Sequence, residues 1–291
     1  MRKKVNILIL FIFLVLMILL LINIIDDKKQ NIKEPLIGKQ VIGWGQKYVG
    51  YDNTIRDSKV KVAILDSGIN INHDDLQKKV VNSYNVIDGS NLIRDDFGHG
   101  TNIAGIITAN DNDIGIIGIS QNIEIYDIKV LDDKGIGKVE DVIKGLQWAL
   151  NNDVDIINIS FGFIKNYPEL QYMINTLLSK NIIIVASAGN NIGQEVDYPA
   201  RYTNVISVGS IDENGEIDIL GSQGKIDIYA PGKNIVTTSK NGKYETVRGT
   251  SFSAAYVTGI LAKAISNGMI DKKTNNQNNI QQSMKYLKTN Y

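Results

Sequence analysis

The chain has 291 residues, enough for one large α/β domain, or two small ones, with a sizeable buried core. Lysine plus arginine equals aspartate plus glutamate at 31 each, so no net field recruits nucleic acid, and no nucleic-acid partner is expected. The absence of cysteine removes disulfides, thiolate metal sites and a thiol nucleophile, and with only two histidines, His73 and His99, any imidazole base must be one of them.

In chain order, the basic flank Met1–Lys4 precedes an apolar run from Val5 to Ile25 broken only by Asn6 and Asn23. About 20 apolar residues cross ~30 Å of hydrocarbon, and such a run is longer than the core of a cleaved signal peptide. The positive flank predicts residues 1–4 in the cytoplasm, 5–25 as a single-pass signal anchor in the cell membrane, and the remainder outside; the alternative is secretion after signal cleavage. Residues 26–39, polar and carrying Pro35 and Gly38, read as a linker, and residues 40–291 as one folded domain, expected to be monomeric.

Within that domain, β-branched runs end abruptly in polar residues: Val60 to Leu65 before Asp66, Val154 to Ile159 before Ser160, Ile182 to Ala186 before Ser187, and Val205 to Val208 before Gly209. Such continuous runs predict strands buried on both faces of a parallel sheet. Helical patterns at 139–150, 170–179 and 102–108 lie between them, and a last helix is predicted at 280–287 after the Asn-rich stretch 275–279. The alternation implies a doubly wound α/β fold, mostly parallel, with helices on both faces and functional groups beyond the carboxyl ends of the strands.

Four polar positions stand at those ends. Asp66 closes a buried strand and opens Asp66-Ser67-Gly68. His99 stands between glycines at the start of a small-residue helix, whereas His73, in a polar turn, reads as a surface or capping histidine. Asn190 follows Ser187-Ala188-Gly189 after another strand, and Ser251 opens an Ala/Gly/Ser-rich helix after Gly249-Thr250. A serine hydroxyl becomes nucleophilic when a base takes its proton, and an imidazole base needs a carboxylate to fix its tautomer. Taken singly, each residue could equally cap a helix or turn.

Together, Asp66-Ser67-Gly68, His99-Gly100-Thr101, Gly189-Asn190 and Gly249-Thr250-Ser251, in the order Asp, His, Ser, resemble the subtilisin-like serine peptidases. The resemblance runs from about Gln40 to the last helix. It implies a catalytic triad of Asp66, His99 and Ser251, with Asn190 and the Ser251 N–H as oxyanion hole. It further implies that a peptide or protein substrate adds as a strand between Lys134-Gly135-Ile136-Gly137 and Ser160-Phe161-Gly162, with a first specificity pocket bounded by the latter and by Ser187, Ala188 and Gly189. Calcium is the one implied cofactor, structural and not catalytic, held by Gln40, Asp75, Asn112 and the carbonyls of Asn110, Ile114 and Ile116.

The chain departs from the family pattern in three ways. Ala255 and Tyr256 stand where the family has proline and histidine, with Asn102 for a second histidine and Phe252 for methionine; Ala255 is expected to loosen the helix start. The linker leaves no room for a folded propeptide, and the chain stops soon after Leu287, which would leave part of the sheet edge uncovered. The expected function is a membrane-tethered serine endopeptidase acting through an acyl-enzyme on Ser251, better suited to processing one secreted peptide or precursor than to bulk digestion. The alternatives are a weak or inactive peptide-binding relative and an acyl transferase.

Overall fold

Strand β1 (Val60–Asp66) shows why the apolar runs are unbroken: Val62 and Ile64 pack into one core, while Ala63 and Leu65 pack into a second core on the opposite face of the sheet. The remaining strands are β2 (Val80–Asn85), β3 (Ile123–Lys129), β4 (Ile156–Ile159), β5 (Ile183–Ser187), β6 (Ile206–Ile211) and β7 (Ile228–Pro231). They form a parallel sheet in the order β2-β3-β1-β4-β5-β6-β7. The hairpin β8 (Ile235–Thr238) and β9 (Tyr244–Val247) stands apart from it. The computed structural model describes residues 39–51, 58–271 and 276–290, the last segment by its backbone alone as far as 280. The basic flank 1–4, the apolar run 5–25 and the linker up to residue 38 lie outside the described residues. Among the described residues no helix is long and apolar enough to cross a membrane.

The helices are α1 (Trp44–Tyr48), α2 (His99–Thr108), α3 (Val139–Asn151), α4 (Pro168–Ser179), α5 (Thr250–Ser266) and α6 (Asn276–Asn290). Helices α3 and α4 cover one face through Val142, Leu146, Leu170, Ile174 and Leu177. On the other, α2 and α5 pack through Ile103, Ile106, Val257 and Leu261, joined by Leu287 of α6. In α5 every residue except Lys263 is buried, as expected of a helix apolar all round. Its small residues permit the close approach: a Cβ on Gly259 would meet Ile119 Cβ at 2.7 Å.

The chain turns back across the sheet at β1, flanked by β3 on one side and β4 on the other, and the polar residues at the carboxyl ends of β1, β4 and β5 meet there. Several predicted boundaries move. Helix α2 starts at His99, three residues early, because Gly98 takes φ 107° as its N-cap. Helix α6 extends both ways, and the strand predicted from Val154 starts at Ile156 because Asp155 is used to accept the Lys61 N–H. Ala255 does not leave a frayed start: it is fully buried, and α5 begins at Thr250, whose N–H donates to Asn190 Oδ1 at 3.0 Å. Tyr256 fills a buried slot beside Gly45, its hydroxyl hydrogen-bonded to Gln46 Oε1 at 3.1 Å.

Candidate active site

At the end of β1 the Asp66 carboxylate is fully buried, with both oxygens 2.9 Å from His99 Nδ1. An ionised carboxylate only accepts, so Nδ1 carries the proton and donates, leaving Nε2 as the basic nitrogen. The Ser67 N–H also donates to Asp66 Oδ1, at 2.8 Å. The approach of α2 to this strand end requires Gly100, where a Cβ would lie 2.2 Å from the Gly68 carbonyl oxygen. Burial lowers the His99 pKa, but the charge and hydrogen bond of Asp66, with the more distant charge of Asp95, outweigh it and hold the imidazole above its usual value. The ring retains 19% exposure and so remains within reach of a substrate.

Asp95, to which the motifs assigned no role, organises this side. It is buried and accepts four hydrogen bonds, from Ser67 Oγ (2.8 Å), Gly98 N (2.6 Å), Thr101 N (3.0 Å) and Thr101 Oγ1 (2.5 Å). Ser67 Oγ in turn accepts from Gly100 N at 3.0 Å, so one hydroxyl ties the Asp66 turn to the His99 helix. The signal was available, an aspartate four residues before the histidine, but the partner that ties it to the Asp66 turn, Ser67, comes from a strand end 28 residues upstream. Behind them Asp127 on β3 is fully buried; its Oδ2 accepts from Ile69 N at 3.1 Å and its Oδ1 has no partner. Burial first, then the neighbouring charge of Asp95, pushes its carboxyl well above the usual carboxylate range.

Ser251 is the second residue of α5 and 8% exposed. Its hydroxyl donates to the Ser160 carbonyl at 2.7 Å, so of the three residues expected as a triad only Asp66 and His99 are joined by a hydrogen bond. Phe252 packs against the His99 ring, 5.5 Å between centroids, which sets the imidazole beside the start of α5. Two residues without an assigned role hold Ser251 in depth: Asn158 donates to Ser160 Oγ and accepts from Thr258 Oγ1, both at 2.8 Å, and Ser160 Oγ donates to the Ser251 carbonyl at 3.0 Å. Asn190 uses its Oδ1 to accept from Thr250 N and Oγ1, which turns its Nδ2, without a protein partner among the described residues, outward beside Gly249.

In the first substrate segment Ile136 is committed to a turn: its N–H donates to Asp132 Oδ1 at 2.9 Å and its carbonyl accepts from Asp132 N at 3.0 Å. Ile136 therefore offers an incoming strand no backbone pair, and its side chain is exposed; the Gly135 carbonyl and the N–H and carbonyl of Gly137, which lies across a bridge from Leu131, have no hydrogen-bond partner among the described residues. Opposite, Ser160, Phe161 and Gly162 follow β4, and Ser187, Ala188 and Gly189 follow or end β5, so the two walls expected of a pocket stand on adjacent strands.

The six expected calcium ligands also converge, but they bond one another. Gln40 Nε2 donates to the carbonyls of Asn110 (2.8 Å) and Ile116 (3.3 Å), and Asp75 accepts from Asn112 Nδ2 (3.1 Å) and Ile116 N (3.0 Å). Ile114 enters this loop through its N–H, donated to Asn112 Oδ1 at 3.3 Å. Burial raises the Asp75 carboxyl, against hydrogen bonds from Ile116, Tyr244 and Asn112. The set is one buried carboxylate among neutral oxygens, a hard-donor chemistry that fits calcium once the two amides present oxygen in place of nitrogen. Among the described residues no three His, Cys, Asp or Glu gather as another metal would need. His73 is a capping residue but not a surface one: it is buried, with Nδ1 accepting from Asp75 N and its ring edge-on to Tyr244.

A sequence model of the subtilase family, a peptidase family, matches residues 57–289. The chain belongs to the subtilase family. It is 34% identical over 255 residues to a thermostable alkaline protease of Halalkalibacterium halodurans, covering 85% of this chain and 69% of that protein. It is 36% identical to an alkaline protease of Alkalihalobacillus alcalophilus, covering 77% of this chain and 59% of that one, so the chain spans well under the full length of these relatives. The crystal structure of a cold-adapted subtilisin-like serine proteinase superposes with a TM-score of 0.75 at 25% identity, covering 85% of this chain and 90% of that one. The chain is thus a subtilisin-like serine endopeptidase, a hydrolase of peptide or protein substrates.

Proposed function

We propose that this subtilase hydrolyses peptide bonds with Ser251 as nucleophile, His99 as general base and Asp66 as the residue that orients the imidazole. The observation that carries the reading is the Asp66 carboxylate held by both oxygens on His99 Nδ1, with Ser251 opening a buried helix beside that ring. Rotation about the Ser251 side chain exchanges the Ser160 carbonyl for His99 Nε2, a bond that often tightens only when substrate binds. Oγ then attacks the scissile carbonyl as Nε2 takes its proton. The oxyanion accepts hydrogen bonds from Asn190 Nδ2 and the Ser251 N–H at the positive end of α5. His99 returns the proton to the leaving amine, and a water, activated by the same nitrogen, resolves the acyl-enzyme. The substrate lies between Gly135–Gly137 and Ser160–Gly162.

Residues 40–291 would form the peptidase domain, carried outside the cytoplasmic membrane by an anchor at 5–25 with the linker 26–39 between; the length and apolarity of the run support this. Calcium at Gln40, Asp75, Asn110, Asn112, Ile114 and Ile116 would stiffen the loop after α2. In that case chelation lowers the thermal midpoint, and an unchanged midpoint removes the site.

One observation favours a second reading, a peptide-binding relative without turnover: the Ser251 hydroxyl is bonded to Ser160 and not to His99. Labelling with a fluorophosphonate decides between them. Ser251-dependent labelling, abolished in Ser251→Ala, supports the peptidase; no labelling overturns it. Extraction of the full chain into the carbonate-washed membrane fraction supports the anchor, and release into the soluble fraction overturns it.

A further inference from the structure

Below the two walls assigned to the first specificity pocket lies a third segment, 196–198, pinned to both. Asp197 N donates to the Ala188 carbonyl at 3.0 Å, and Tyr198 pairs with Phe163 through two 2.8 Å hydrogen bonds. This places the Asp197 side chain between the walls. A Cβ on Gly162 would meet Asp197 Cβ at 2.5 Å, and a Cβ on Gly189 would meet Asp197 Oδ2 at 2.5 Å. Two glycines face the Asp197 side chain, and a larger residue in place of either would collide with it.

The carboxylate is incompletely paired. Oδ2 accepts from Asn191 Nδ2 at 2.9 Å, while Oδ1 is buried without a partner among the described residues, and the residue as a whole is 8% exposed. A neighbouring cation is committed elsewhere: Arg201 holds Glu195 Oε2 at 2.5 Å and the Val196 carbonyl at 2.5 Å, with its guanidinium stacked on Tyr198. Burial raises the Asp197 carboxyl, against the Asn191 hydrogen bond and the Arg201 charge. A buried carboxylate oxygen left without a donor is costly to a fold, and a cationic group from outside relieves that cost.

We infer that Asp197 forms the floor of the pocket that receives the side chain before the scissile bond, and that this chain cleaves after a lysine or arginine. The inference rests on the proposed triad and pocket walls, and it names the substrate class for them. A cationic side chain lying between Gly162 and Gly189 brings its ammonium or guanidinium to Asp197, whereas an apolar one of the same length leaves the carboxylate desolvated and unpaired, which is a strong basis for rejection.

The test uses the full-length protein in detergent with peptides differing only at the residue before the cleaved bond. Arginine or lysine there is expected to give kcat/KM roughly 10²-fold or more above glutamine, phenylalanine or leucine. Asp197→Asn should lose roughly 10²–10³-fold on the basic peptides and much less on glutamine, while Asp197→Glu keeps part of the basic preference. Wild-type cleavage after phenylalanine or leucine as efficient as after arginine overturns the inference, whether or not the variants fold. An equal loss by Asp197→Asn on every peptide does the same. If Ser251 labels with fluorophosphonate but no basic preference is found, the pocket assignment alone fails; if Ser251 does not label, the peptidase reading fails beneath it.

Discussion

Two sides of the site treat buried carboxylates in opposite ways. On the side of β1 and α2, Asp95 is saturated by four donors from its own chain, and it links the turn after Asp66 to the start of the His99 helix. On the side of β4 and β5, Asp197 has one donor, on Oδ2, and an Oδ1 without a partner among the described residues, and its side chain packs against two glycines. A saturated carboxylate is a structural clamp: its negative charge is consumed in holding the base still. A carboxylate with a vacant acceptor position is suited to a group that arrives with the substrate. Asp127, buried behind the first side with one donor, is the intermediate case.

The largest effect that would break this contrast is at Asp95. Asp95→Ala strands four buried donors and should cost about 3 kcal/mol or more of stability; a thermal midpoint within a degree of wild type would show that Asp95 clamps nothing. Next is the oxyanion donor: Asn190→Ala should lower kcat by ~10²–10³ with little change in KM, because its bond forms in the transition state. A change confined to KM would move Asn190 out of that role.

A pH profile sharpens the clamp side. Catalysis needs neutral His99, whose pKa is raised, so kcat/KM should climb with pH through a midpoint above ~6.5, and Asp66→Asn should move that midpoint down. The linked stability has the opposite direction: the protonated His99 paired with Asp66 stabilises the fold below ~6.5, and this is lost as pH rises through the folded value. Smallest is Asp127→Asn. The folded carboxyl holds its proton above ~3.9 while the unfolded one has lost it, so stability falls as pH rises across that window. The asparagine variant removes this slope and should gain on the order of 1 kcal/mol at neutral pH, measured by denaturant titration. An unchanged slope would mean Asp127 is not the proton carrier.

Much of the fold could be read in advance because strands buried on both faces must be apolar almost throughout, and β1, β4, β5 and β6 are, with Lys61, Asn158, Ser207 and Ser210 as the polar residues inside them. Others escaped for the same reason reversed. β2, at the sheet edge, reads Val80-Val81-Asn82-Ser83-Tyr84-Asn85, and β3 carries Glu124, Asp127 and Lys129 within its run, so neither shows the pattern of a doubly covered strand. The antiparallel β8 and β9 lack it too, being paired only with each other.

By itself the sequence determined the fold class and the order of the four motifs, and it pointed to Asp66, His99, Asn190 and Ser251 as the residues expected to act, because those motifs together resemble the subtilisin-like peptidases. Only the tertiary structure decided which residues hold them. Ser67 reaches Asp95 across 28 residues of chain, Ser160 reaches Ser251 across 91 and Asn158 reaches Thr258 across 100, and such partners leave no local trace. Asp197 carries the same lesson for specificity. It is an ordinary loop aspartate in the sequence, and it becomes the floor proposed for the first pocket only because segments 162, 189 and 197 are packed against one another, with no side chain on either glycine to separate them.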